Sequence, residues 1–221
     1  MISKLIHRLA LLVLALGTLA SCSINQDVSF NKDFSGQYAM KIDLSGAIGM
    51  LGEEGKDKMK PTGKDSVEIA EKIEALGQIE GITNVKMISE NAVLGYTFDF
   101  ANLDALNSAI AEQGFLKQSN PSMDRQQKFV RKGKTFKYEV PNRPNEGEEK
   151  ESEELSAEME QVMAMAKMME VNFTFHFAQK VKKFDNKSAV LIDDGKGLKI
   201  AGTLEDLDNK SLQLGTEVKL K

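Results

Sequence analysis

Apolar residues in this chain recur at period two over short runs and at helical spacing over longer ones, and the two patterns alternate. Paired period-two runs around turn-forming residues predict three β-hairpins, at 27–30 with 37–44, 82–88 with 93–100, and 126–130 with 135–140. Helical spacing predicts one helix from Ser66 to Gly77, and a second that Asn102 caps and Gly114 ends. A third, long helix is predicted from about Glu151 to Glu170.

The sequence after the third helix is β-rich. Strands are predicted at 171–178, 187–192, 198–202 and 212–220. On the first of these, Phe173, Phe175 and Phe177 fall on one face, and His176 falls on the opposite one. Nine or ten short strands with about three helices predict an α+β fold, in which antiparallel hairpins form a curved sheet or sheets. Because hairpin connections dominate, parallel βαβ architecture is disfavoured.

Two polar segments separate these elements. The stretch from Ser45 to Lys64 is rich in glycine and charge and predicts a mobile loop, and 141–154 predicts an exposed acidic linker. The pattern leaves open whether the chain divides near Asn145, and a single α+β domain over 22–221 is the favoured division.

The first residues have the pattern of an export signal. Lys4, His7 and Arg8 make a basic start, and the almost unbroken apolar run Leu9–Leu19 follows. As a helix this run is about 16 Å long, too short for a hydrocarbon core of about 30 Å. The sequence therefore predicts a signal peptide over 1–21.

The apolar run ends in Leu19-Ala20-Ser21-Cys22, which resembles the bacterial lipobox, L-[AS]-[GAS]-C. The resemblance implies cleavage between Ser21 and Cys22, with diacylglycerol and an N-acyl chain attached covalently to Cys22. Each buried methylene contributes about 0.8 kcal/mol, so such chains anchor a protein firmly. Ser23 follows in place of the aspartate that typically retains lipoproteins at the inner membrane. We therefore expect a mature protein anchored in the outer membrane and facing the periplasm.

A wider resemblance covers most of the mature chain. The segment from Phe30 to Ser45 follows the form F-N-x-D-x-S-G-x-Y-x-M-x-I-D-L/M-S, and D-D-G-K-x-L begins at Asp193. Together with the lipobox, these resemble the LppM-type lipoproteins of the bacterial envelope. The resemblance implies a non-enzymatic envelope protein and brings no catalytic residues.

Composition narrows the chemistry. One cysteine and two histidines exclude a disulfide framework and a Cys/His zinc cluster. Without residues 1–21 the chain has 27 basic and 33 acidic residues, a net charge of −6, which is unsuited to nucleic acid. No nucleophile, phosphate-loop or metal motif is present, so we expect no catalytic residues, metal or cofactor. The alternative function is a periplasmic hydrolase that uses carboxylates alone, from Asp99, Asp193 or Asp206.

The third helix is unusually rich in methionine. Its apolar stripe includes Met159, Val162, Met163, Ala166 and Met169. Three interpretations compete: a core-facing stripe, an adaptable surface for a hydrophobic ligand or envelope partner, and copper(I) ligation by thioethers. The sequence does not separate the first two.

Charge is segregated along the chain. An acidic run spans Glu146–Glu154, the third hairpin is basic, and lysines recur between Lys180 and Lys187. Solvated faces are one explanation. The other is that the basic hairpin contacts lipid head-group phosphates near the anchor. We expect a lipid-anchored, non-catalytic binding or interaction module, with the membrane and a lipid or envelope protein as partners.

Overall fold

The computed structural model describes residues 22–46, 63–90, 92–112, 127–140 and 166–221. These parts form eleven strands and three helices, which confirms the predicted α+β class. The strands are β1 (Ser23–Phe30), β2 (Gly36–Asp43), β3 (Ile82–Glu90), β4 (Val93–Phe100), β5 (Lys128–Lys132), β6 (Thr135–Glu139), β7 (Glu170–Phe177), β8 (Val181–Phe184), β9 (Ala189–Ile192), β10 (Gly197–Thr203) and β11 (Thr216–Leu220). The helices are α1 (Gly63–Gly77), α2 (Leu103–Glu112) and α3 (Leu204–Asp208).

The larger sheet has seven strands in the order β3-β4-β2-β1-β7-β10-β9. The first two predicted hairpins form as β1–β2 and β3–β4, and they join through β2 and β4. Its centre differs from the prediction, because β1 and β7 pair in parallel from Ser23 opposite Glu170 to Phe30 opposite Phe177. A parallel pair needs a crossover between its strands, and here 147 positions of chain separate Asn25 from its partner Asn172.

The smaller sheet has four strands in the order β5-β6-β11-β8, all antiparallel. It packs on the centre of the larger sheet through aromatic rings. Between ring centroids, Phe136 lies 5.0 Å from Phe30 and 5.2 Å from Phe177, and Tyr138 lies 5.1 Å from Phe175. The predicted face of phenylalanines on β7 is therefore part of the core, and such ring pairs add to the stability that burial supplies.

Both larger helices pack on the larger sheet, and one also reaches the smaller. Ile73 and Leu76 of α1 pack against the core. The predicted cap of α2 is confirmed, because Asn102 Oδ1 accepts the Ala105 N–H at 2.9 Å. None of the helices in the described ranges is both long and apolar enough to cross a bilayer.

Several predicted boundaries shift. The third helix ends earlier, since residues 166–167 are helical and β7 already begins at Glu170. The Met169 carbonyl oxygen is not bonded within a helix there, because it accepts the Leu204 N–H at 2.9 Å. Strand β1 begins four residues before its prediction, α1 begins at Gly63 rather than Ser66, and β8 and α3 were not predicted. The rest of the long helix, most of the glycine-rich loop, the C-terminal end predicted for α2 and the acidic linker lie outside the described residues.

Two glycines are required by local geometry. Gly133 has φ +59° at the first central position of the two-residue β5–β6 turn, as a type II′ turn requires. At Gly95 on β4, a Cβ would lie 2.0 Å from the Met40 carbonyl oxygen of β2, so a larger residue would force the strands apart. Gly133 thus permits the tight β5–β6 turn, and Gly95 permits the close approach of β4 to β2.

Candidate functional site

Cys22, the predicted lipidation residue, lies directly at the start of the larger sheet. It immediately precedes β1 and is half-buried, and its carbonyl oxygen accepts the Glu170 N–H at 3.0 Å. Its backbone is therefore held by the first residue of β7. A lipid on Cys22 would be joined to the folded body without an intervening tether. Ser21, on the other side of the predicted cleavage point, lies outside the described residues.

The end of the methionine-rich helix lies beside Cys22. Met169 precedes Glu170, packs against the core, and donates its N–H to Ala166 O at 3.0 Å. Met168, which falls off the predicted apolar stripe, is 70% exposed. Ala166 is half-buried, and Met159, Val162 and Met163 lie outside the described residues. Whether the whole stripe is core or binding surface stays a prediction.

The basic β5–β6 hairpin turn lies at the other end of the sheet. The Arg131 guanidinium carbon is 4.3 Å from the ring centroid of Phe34, in the β1–β2 turn. Strand β1 has eight residues and spans about 26 Å between that turn and Cys22. The turn is therefore not beside Cys22, where the predicted contact with lipid head groups near an anchor would place it.

His176 lies at that same distal end. It is half-exposed, as predicted for a surface histidine, and its Nδ1 lies 2.6 Å from Asp193 Oδ2. Asp193 sits in the turn between β9 and β10, and Gly197 at the start of β10 pairs with His176. No sequence pattern indicates this pair, because it depends on how β10 docks on β7.

The three carboxylates of the alternative hydrolase are not brought together. Asp99 on β4 accepts hydrogen bonds from Gln37 Nε2 at 3.1 Å and Asn84 Nδ2 at 2.7 Å. Asp193 contacts His176 on β7, and two strands lie between β7 and β4, so about 14 Å or more separates Asp193 from Asp99. Asp206 lies in α3, near the Cys22 end.

Asp206 has a structural task. Its Oδ2 accepts the Thr203 N–H and hydroxyl, each at 2.9 Å, while Thr203 Oγ1 accepts the Asp206 N–H at 3.1 Å. These bonds from Thr203, with one from Ser211, lower the pKa of Asp206. A general acid needs a raised pKa, so the environment acts in the opposite direction.

No group of three or more His, Cys, Asp or Glu residues that could hold a metal occurs in the described ranges. Three carboxylates with the sequence spacing of a calcium loop, Asp206, Asp208 and Glu217, lie on α3 and β11 instead of in one loop. Asp193 and Asp194 lie in the turn between β9 and β10, with positive φ at both.

The core face of the larger sheet contains a polar group that the sequence did not single out. Gln26 on β1 is 2% exposed, and its Nε2 has no hydrogen-bond partner among the described residues. Its neighbours across the sheet are Met40 on β2 and Phe173 on β7. Nearby, burial raises the pKa of both Tyr38 and Tyr96, whose hydroxyls are hydrogen-bonded to each other.

Comparisons with known proteins add little to this picture. No family model matches the chain, and no curated protein matches it. A solved structure with a similar course of the chain is the NMR structure of the folded domain of Mycobacterium tuberculosis LppM. It is 9% identical, covers 91% of this chain and 90% of that chain, and has a TM-score of 0.45. Lipid modification of Cys22 stays a prediction.

Proposed function

We propose that this protein is a lipid-anchored, non-catalytic interaction module of the bacterial envelope, attached to the outer membrane through acyl chains on Cys22 and facing the periplasm. The lipobox motif Leu19-Ala20-Ser21-Cys22 carries the proposal. Cleavage there would remove the apolar N-terminal segment and leave β1 complete, since that strand begins at Ser23.

The position of Cys22 in the fold supports the proposal. The hydrogen bond from Glu170 N–H to Cys22 O fixes the attachment point at one end of the sheet. An anchored body would therefore stand with that end toward the lipid and its distal turns away from it. The partner that such a module would hold is a hydrophobic ligand or another envelope component.

The decisive experiment replaces the thiol. In cells fed a labelled fatty acid, the protein with its natural Cys22 should incorporate label and fractionate with membranes. Cys22→Ala should incorporate none and accumulate as uncleaved or soluble chain, because no thioether can form. Ser23→Ala, which keeps the thiol, is the matched control and should be processed normally. Labelling and membrane anchoring of Cys22→Ala would refute the proposal.

A further inference from the structure

The fold gathers lysines that are far apart in the sequence into one corner of the smaller sheet. Backbone hydrogen bonds join Leu220 N–H to Lys134 O and Lys221 N–H to Lys180 O, both at 2.9 Å, and Lys219 on β11 pairs with Lys183 on β8. We call this group the lysine corner. Its members, all exposed, are Lys134, Lys180, Lys182, Lys183, Lys219 and Lys221.

These cations are not compensated by neighbouring acids. None of the six forms an ion pair within the described part of the chain. The acids closest in sequence to Lys219 and Lys183 have other partners. Glu217 lies 2.8 Å from Lys137 Nζ, and Asp185 Oδ1 accepts the Glu217 N–H at 2.7 Å. The corner therefore presents a positive field to solvent in a chain whose net charge is −4.

Stability and solubility do not account for the whole group. Like charges directly opposite one another in a sheet, such as Lys183 and Lys219, are destabilising. Lysines on an edge strand limit edge-to-edge association, which explains Lys182 and Lys183 on β8. That role does not extend to Lys219 on the interior strand β11, or to Lys134 in a turn.

We propose that the lysine corner binds an anionic polysaccharide of the envelope, a polymer with repeating phosphate or carboxylate groups. The corner contains lysines and no arginine. Lysines act as point charges and do not grip one phosphate or carboxylate bidentately, so the corner suits a ligand with many closely spaced anionic groups. Its members lie on two adjoining surfaces, the end of the sheet and its solvent face, where Lys219 alternates with buried Val218 and Leu220. A flexible chain can follow both surfaces, whereas a flat bilayer meets one.

The lysine corner also lies too far from the anchoring bilayer to bind it, which rests on the proposed function. The corner lies at the end of β1 that is about 26 Å from Cys22, and the Debye length at physiological salt is about 8 Å. Screening therefore leaves the corner available to a partner other than the anchoring membrane.

Binding can be measured with fluorescent dextran sulfate and with neutral dextran of equal length, using the chain purified from cells in detergent. The sulfated polymer should bind, more weakly as NaCl rises, and neutral dextran should not. K183E/K219E/K221E should weaken binding about tenfold or more. K86E/K128E/K167E has the same net charge, removes exposed lysines elsewhere, and should bind within about twofold of the unmodified chain.

The sign of the introduced charge distinguishes polysaccharide binding from protection of the sheet edge. Glutamates prevent strand association as lysines do, but they repel a polyanion. Absence of binding by the unmodified chain, equal binding of neutral dextran, or equal losses in the two triple variants would each overturn the proposal. Binding to phosphatidylglycerol vesicles without binding to dextran sulfate would overturn the choice of a polysaccharide. The assay takes place in detergent, so failure of lipidation at Cys22 is detected separately, by fatty-acid labelling.

Discussion

Two buried amide side chains in this protein have opposite environments. Asn186 is 2% exposed, and its Nδ2 donates to Gln213 O at 2.7 Å and Gly215 O at 3.0 Å. Gln26 is equally buried, yet its Nε2 has no partner among the described residues. A buried donor without an acceptor loses its bonds to water and gains none in return. At the scale of single residues, burial alone therefore does not indicate whether a polar group stabilises the fold.

The first prediction contrasts these two positions in urea unfolding. Gln26→Met keeps the side-chain length, removes the unpaired donor, and should raise the free energy of unfolding by about 1 kcal/mol. Asn186→Leu removes satisfied bonds, strands two carbonyl groups, and should lower it by about 2 kcal/mol or more. A loss of stability in Gln26→Met would show that the amide has a bonding partner.

A second prediction concerns Asp206 and pH. Its pKa in the folded protein is lowered from the ordinary 3.8 by hydrogen bonds from Thr203 and Ser211. Its contribution to stability is therefore fully present above pH 3.8 and is lost as the pH falls through the lower folded pKa. Asp206→Asn should flatten the acid limb of the curve of unfolding free energy against pH. Glu205→Gln, which changes the exposed neighbouring carboxylate of α3, serves as the comparison. A curve for Asp206→Asn that matches the unmodified chain would contradict this role.

At the scale of elements, α2 closes an edge of the smaller sheet. Strand β5 has a partner on one side only, and on the other side the Asn107 side chain takes the place of a strand. Asn107 Oδ1 accepts the Phe129 N–H at 2.7 Å, and Asn107 Nδ2 donates to Phe129 O at 2.9 Å. One amide thus joins the helix to the second sheet and protects an edge that could otherwise pair with another chain.

The third prediction follows from that contact. Asn107→Ala should lower the free energy of unfolding by about 1–3 kcal/mol, because it leaves the N–H and C=O of Phe129 without partners. Ser108→Ala, at the next and exposed helix position, should change it by less than about 0.5 kcal/mol. Chemical denaturation with far-UV circular dichroism measures both variants. Equal effects at the two positions would show that the amide contributes nothing specific.

At the scale of the whole molecule, the fold separates two ends. Cys22, Met168 and the start of α3 lie at one end, and the β1–β2, β5–β6 and β9–β10 turns lie at the other. With the attachment residue hydrogen-bonded into the sheet, the proposed anchor would hold the body against the bilayer in a defined orientation. Met168, 70% exposed beside Glu170, is then the apolar side chain placed to enter the lipid interface.

The fourth prediction tests that orientation by fluorescence, since the chain contains no tryptophan. Met168→Trp in protein anchored to phosphatidylcholine vesicles should emit at shorter wavelength and be quenched by lipids brominated near the head group. Val190, 57% exposed on the edge strand β9, lies level with Asp27 in the sheet and therefore away from the Cys22 end. The emission wavelength and quenching of Val190→Trp should therefore not change when the protein is anchored to the vesicles. Equal quenching at both sites would contradict the orientation, while fatty-acid labelling of Cys22 reports the anchor itself.

Much of the fold was predictable because it depends on neighbouring residues. The three hairpins rest on period two and turn chemistry within about twenty positions, and the cap of α2 rests on one asparagine. The parallel pairing of β1 with β7 was missed, because the register of strands 147 positions apart leaves no local pattern. Strand β8 was missed because its apolar residues, Val181 and Phe184, do not alternate.

The sequence by itself determined the α+β class, the phenylalanine face of β7, and the motif that designates Cys22. Each of these depends only on residues close together in the sequence, either through their periodicity or through a short motif that an enzyme would bind. Only the tertiary structure decided that Cys22 is held by Glu170, that Asp99, Asp193 and Asp206 stand apart, and that lysines from three segments meet in one corner. These placements depend on strand pairing between distant parts of the chain, which is set by how whole apolar faces pack together.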